Sequence, residues 1–264
     1  MELVAGLPAL LRHGRLSLLG GLGLAVLAAT AVGAAIVPGT AAIVPGTAAQ
    51  RTSSHVAPCT TLADSIPATS GHDELLTVIA PSDRSPTAIF QMYRRTGACF
   101  ETVAGPYAAF VGINGVSARH REGDLTTPIG LFGIETTMYG VDPNPGVTYR
   151  YHQFTCGDWW DEDARSALYN HFVHVRCDTA PNFARNSESL WTKVPAYDFF
   201  AVVNYNTSPV VPGRGSAIFL HVSKNSPTTG CVSIAKVHLL KVLRLLRISD
   251  HPVIYINTRA ALPG

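Results

Sequence analysis

A histidine and a cysteine, His221 and Cys231, stand on either side of the polar stretch "SKNSPTTG" within "FLHVSKNSPTTGCVSIAKVHLLKVLRLL", residues 219–246. A cysteine attacks a carbonyl as its thiolate, and a histidine within reach can take the thiol proton. The run "AIFLHV" reads as a strand carrying His221 near its end, and a helix starting near Ala235 follows Cys231. Strand, loop and helix in that order can fold His221 back on Cys231. A neighbouring histidine and a helix N-terminus both lower a thiol pKa. Gly230 lets the backbone come close, and the N–H groups of Gly230 and Cys231 could form an oxyanion hole. The bland account is a strand histidine packed on a sheet beside an unrelated cysteine.

The state of Cys231 depends on the compartment. Arg12, His13 and Arg15 precede residues 16–37, an uncharged apolar run, and that order of parts reads as an export signal, with a retained signal anchor as the alternative. "AAIVPGT" then occurs twice in succession, too briefly for a solenoid unit, and reads as a duplicated linker. Export places the 5 cysteines in an oxidising compartment. Loop-closure entropy favours Cys59 with Cys99 and Cys156 with Cys177. The odd count then leaves Cys231 over, although counting alone also allows Cys231 to pair and another thiol to remain free.

The elements that must position this pair are mainly strands. The 264 residues are 47% hydrophobic, enough for one sizeable core. After residues 1–49, the export segment, residues 50–74 are rich in Ser, Thr, Ala and Pro and read as a linker. From residue 75 to residue 264 comes one domain, its first strand beginning near Glu74. "LLTVIAP", "TAIFQMYRR", "CFETVAG", "YAAFVGING", "IGLFGIET", "FFAVVNYN", "AIFLHVS" and "HPVIYIN" are short apolar runs separated by turn residues, the spacing of strands. "DEDARSALYNHFV" could hold a short helix. "AKVHLLKVLRLL" is the main helix, with Val237, Leu240, Leu243 and Leu246 expected on one stripe. A net charge of +2 without charge blocks gives no nucleic-acid footprint and no polybasic membrane patch. The membrane enters only through an uncleaved N-terminal anchor.

The segment around Cys231 resembles the signature of the YkuD-type L,D-transpeptidase catalytic domain, in which a histidine precedes a Ser/Thr-x-Gly-Cys block. Thr228, Thr229, Gly230 and Cys231 fill that block. "REGDLTTPIGLFGI", residues 121–134, is similar to the family's Gly-Asp-x-x-Thr-Pro-x-Gly-x-Phe element, and "GDWWDEDARSALYN" to a segment of its actinobacterial branch. The likeness runs over roughly residues 75–257. It implies a mainly β, sandwich-like catalytic fold with one main helix after the cysteine. It also implies an exported enzyme acting on peptidoglycan stem peptides, either secreted or held at the cell wall or outer face of the membrane. Cys231 would attack the carbonyl before a terminal D-alanine, and a side-chain amine of another stem would take the acyl group, giving a 3→3 cross-link. By the same resemblance His221 is the base, the Val222 carbonyl orients it, Thr228 supports the loop, and Gly230 with Cys231 supplies oxyanion donors. Carbapenem β-lactams are the implied covalent inhibitors.

Two departures stand out. Many members carry histidine where this chain has Thr229, and arginine where it has Ser233; Arg214 is the candidate to replace that arginine toward substrate carboxylates. No motif calls for a cofactor. His171, His174 and Cys177 have no second half for a zinc site, and exposed histidines beside a disulfide are the better account. Trp159 and Trp160 could edge a cleft or form a buried pair, and Asp124, Thr127 and Asn170 are expected to be structural. An L,D-carboxypeptidase would use the same dyad with water as acceptor. A catalytically silent wall-binding domain would require Cys231 to sit in a disulfide.

Overall fold

The computed structural model describes residues 59–66, 69–184 and 187–262. The export signal or anchor expected over residues 1–49 lies outside them. Among the described residues no helix is long and apolar enough to cross a membrane. In chain order the elements are α1 (Leu62–Ser65), β1 (Glu74–Ala80), β2 (Thr87–Thr96), β3 (Cys99–Phe110), β4 (Val116–Ser117), β5 (Thr127–Pro128) and β6 (Gly130–Gly140). There follow β7 (Arg150–Gln153), β8 (Asp158–Asp161), β9 (His171–His174), β10 (Glu188–Ser189), β11 (Phe200–Val203), β12 (Phe219–Val222), β13 (Val232–Ile234), α2 (Lys236–Leu245) and β14 (Val253–Thr258).

One sheet runs in the order β11-β12-β13-β3-β2-β1-β14-β6-β7, and β11 also pairs with β6. That last pairing, Phe200 with Tyr139 and Ala201 with Met138, closes the sheet on itself. The expected sandwich is therefore a barrel-like sheet, in which β11 gains a second partner and β7 remains as an edge strand beside β6. β1 is buried along its whole length between β2 and β14, which explains its unbroken apolar run. β2 alternates exposed and buried residues instead. The two runs read separately at residues 99–105 and 107–115 belong largely to one strand, β3, whose pairing with β2 shifts register around Met92. Gly105 permits the close approach there: its φ is +99°, and a Cβ would lie 2.7 Å from the Phe90 carbonyl oxygen.

The main core joins one face of β1, β2 and β12 to the helix α2 through Leu239, Val242 and Leu243, with Leu246 just past the helix end. The stripe expected from Val237 is corrected: Val237 is 69% exposed. At about 3.6 residues per turn, Val237 and Leu246 lie half a turn out of phase, so both cannot face one sheet. The helix expected over "DEDARSALYNHFV" is also absent. β8 and β9 occupy its ends, and between them Asp161, Asp163 and Ser166 accept the N–H groups of Asp163, Arg165 and Leu168. Such local side-chain bonds hold the backbone in turns. Residues 59–73 are not a free linker in the described part. α1 packs Ala63 and Ile66 on Leu75, Tyr93 and Phe100, and a disulfide joins Cys59 to Cys99. A second disulfide joins Cys156 to Cys177, and Cys231 is the free cysteine.

Candidate active site

β12 and β13 are parallel neighbours, with Leu220 opposite Val232 and His221 opposite Ser233. The chain between them is a loop, not a helix, and the barrel wall holds it. Thr228 N–H donates to the Val111 carbonyl at 2.9 Å, and its carbonyl accepts Ile113 N–H at 2.9 Å. Thr228 Oγ1 donates to the Cys231 carbonyl at 2.6 Å. Thr127, fully buried, donates from Oγ1 to that same carbonyl at 3.1 Å and accepts Gly112 N–H at 2.8 Å. Cys231 is thus clamped by hydroxyls from two distant segments.

The thiol donates to the Ala217 carbonyl at 3.2 Å, and Phe219 N–H points at the sulfur from 3.4 Å. Asn170 sets the Ala217 peptide, accepting its N–H at 3.0 Å and the Trp160 indole N–H at 2.9 Å through one oxygen. Trp160 is therefore core, packed edge-on against Phe219, while Trp159 sits against Phe183 and Trp191; neither lines the cavities beside the sulfur. His221 is buried, with Nδ1 at 2.9 Å from the Val222 carbonyl. A carbonyl only accepts, so Nδ1 carries the proton and Nε2 is the free base. Tyr197 meets the His221 ring edge-on.

Two cavities meet at Cys231. The first, about 320 Å³, is lined by His221, Ser233, Lys193, Lys224, Glu188 and Thr228 among others. The second, about 230 Å³, is lined by Glu122, Glu162, Glu188, His120, Gly230 and Ala217 among others. Thr229, exposed, forms a lip common to both. Burial pushes the Glu162 carboxyl up to about 9, with the Glu188 and Glu122 charges adding to it. One buried oxygen of Glu162 has no hydrogen-bond partner among the described residues. Glu188 accepts the Tyr197 hydroxyl and faces Lys193 at 3.7 Å.

Three expectations are corrected here. Gly230 N–H donates to Thr228 Oγ1 at 3.2 Å, which leaves the Cys231 amide as the oxyanion candidate of the two. The helix N-terminus does not lower the thiol pKa, because β13 separates Cys231 from α2; burial, reinforced by Glu188, pushes it well up. Arg214 lies on an exposed turn against a different groove, shared with Arg119 and Arg121, and lines neither cavity at the sulfur. Ser233 is 1% exposed, and its hydroxyl has no partner among the described residues. Of the zinc trio, Cys177 is in a disulfide, His174 Nδ1 is 2.6 Å from Asp158 and His171 bonds the Tyr169 carbonyl.

No protein-family model, curated protein or solved structure matches this chain.

Two expected results arise directly. Alkylation of the unreduced, unfolded chain should label one cysteine, Cys231, and native labelling should be slow because the sulfur is buried. Peptide mapping that finds Cys231 in a disulfide would sink every nucleophile reading. Thr127→Val should lower stability by about 1–3 kcal/mol, because Gly112 N–H and the Cys231 carbonyl each lose a buried partner. Chemical denaturation measures it, and an unchanged midpoint would mean that neither bond contributes.

Proposed function

We propose that this chain is an exported cysteine acyltransferase of the L,D-transpeptidase type, acting on peptidoglycan stem peptides with Cys231 as nucleophile and His221 as base. The observation that carries the reading is the shared cavity: a free thiol and an imidazole oriented by a backbone carbonyl line one cleft. The thiol sulfur forms a bond to the carbonyl carbon before the terminal D-alanine as the thiol proton passes to His221 Nε2. That proton then goes to the departing amine as the C–N bond breaks, leaving a thioester. A side-chain amine of a second stem attacks the thioester, and its proton returns to the sulfur through His221. With Gly230 N–H engaged by Thr228, the Cys231 amide is the donor left to stabilise the tetrahedral oxyanion.

The acid-lined second cavity, beside the sulfur, is the place for the amine acceptor. Its wall offers an amine the Glu122 carboxylate and a Glu162 carboxyl that burial keeps protonated at neutral pH, while Glu188 is already engaged by Lys193 and the Tyr197 hydroxyl. Hydrolysis of the same thioester, an L,D-carboxypeptidase activity, is the competing outcome. Two disulfides fit an oxidising, extracytoplasmic location. The deciding experiment is incubation of the purified chain with tetrapeptide-stem muropeptides followed by mass analysis. Dimers that have lost D-alanine support the transferase; tripeptides alone indicate the hydrolase; unchanged tetrapeptides refute both.

A further inference from the structure

Ser233 and Lys224 present an unmet demand in the same cavity. The Ser233 residue is 1% exposed and its hydroxyl has no hydrogen-bond partner among the described residues, although its neighbour across the ladder is His221. A buried hydroxyl without a partner is destabilising unless something fills the position. At the rim, Lys193 is occupied by Glu188, whereas Lys224 has no carboxylate partner among the described residues. Lys224 stands close enough to His221 for its charge to disfavour imidazolium. A buried donor in the floor and a free ammonium at the rim, both lining one cavity beside the nucleophile, match a single anionic group.

We infer that the cavity holding His221 and Ser233 is a carboxylate subsite, in which Lys224 and the Ser233 hydroxyl bind a carboxylate of the peptide that acylates Cys231. The inference rests on the acyl-transfer reading for the role of Cys231 but not for the binding itself. The charge comes from the loop lysine, and the serine supplies a short directional bond. Glu188, also on this wall, does not cancel the site, because Lys193 and the Tyr197 hydroxyl already engage it. Arg214, facing another groove, takes no part. A tetrapeptide stem carries carboxylates on its terminal residue and on its third residue, and either offers the required chemistry.

Binding is measured by calorimetry on the full chain carrying Cys231→Ala, so that no turnover intervenes. The probes are a tetrapeptide stem with free carboxylates and two derivatives, one amidated at the terminal carboxyl and one at the third residue. Lys224→Gln should weaken the free-carboxylate peptide about tenfold, the size of one charge-assisted bond. Lys224→Arg should retain most of the affinity. The derivative whose amidation removes the Lys224 effect identifies which carboxylate is held, as in any double-mutant cycle. Ser233→Ala should also weaken the peptide while leaving the thermal midpoint unchanged or higher, since the free protein loses only an unsatisfied hydroxyl. A peptide that does not bind, a Lys224→Gln effect equal across all three peptides, or no effect at all overturns the subsite. Carbapenem labelling of the unmutated chain separates the two readings. Labelling without Lys224-dependent binding leaves Cys231 reactive and removes the subsite. Binding without labelling keeps the subsite and removes the acyl-transfer role.

Discussion

Cys231→Ala should reduce cross-link formation from stem peptides to background, a loss on the order of 10⁴-fold or more, while the chain stays folded. The thiol has no structural duty comparable to its chemical one. Its bonds to Ala217 and Phe219 are weak sulfur contacts, whereas the backbone around it is held through the Cys231 carbonyl by Thr127 and Thr228. Alanine keeps that carbonyl and the ladder from Val232 onward, so folding should survive. Because the loss concerns covalent chemistry, the same variant should also fail to gain the mass of a carbapenem, which the unmodified chain should acquire at Cys231. Turnover or adduct formation that persists in Cys231→Ala would transfer the nucleophile elsewhere and end the present reading.

How far the site could be read beforehand differs residue by residue. His221 and Cys231 were legible because they are close in sequence and lie at a strand end and in a polar loop, a local pattern. The freedom of Cys231 was legible from loop-closure entropy, and the two disulfides formed where short loops favoured them. Thr127 was not recognisable as a clamp, since its bond to the Cys231 carbonyl joins residues that only the closed barrel brings together. Glu162 and Glu188 become walls of one cavity only because β8 and β10 pair, with Glu188 opposite Trp160. A two-residue strand leaves no periodic signal. The barrel closure rests likewise on β11 pairing with β6, a long-range contact for which neither run carries a local mark. The misread helix had local causes that were present in the sequence: aspartates and a serine at turn spacing outweighed the intervening alanines and leucine.

His221→Ala should lower acyl transfer by about 100-fold to 10,000-fold with the fold intact, and the unmodified enzyme should show an unusual pH profile. Burial lowers the His221 pKa to about 4 and raises that of the Cys231 thiol well above its ordinary value. At neutral pH the resting pair is therefore a neutral imidazole and a neutral thiol, not an imidazolium–thiolate pair. The proton must move to Nε2 as the sulfur attacks, so the reaction depends on the base form of His221 in the free enzyme. That form predominates above pH of about 4 and disappears below it. kcat/KM should accordingly rise with pH through about 4 and stay level across neutrality, with no limb near the ordinary histidine value. The same shift affects stability with a definite sign. The folded chain binds the His221 proton less readily than the unfolded chain, so this contribution is full above the unfolded value near 6.5 and is lost as pH falls toward about 4. Circular dichroism at each pH separates loss of fold from loss of base. In His221→Ala the acid limb should vanish along with most of the rate. A limb near 6.5 in the unmodified enzyme would instead place His221 in contact with solvent or with a thiolate during the reaction, and near-normal turnover in the folded variant would make the histidine structural.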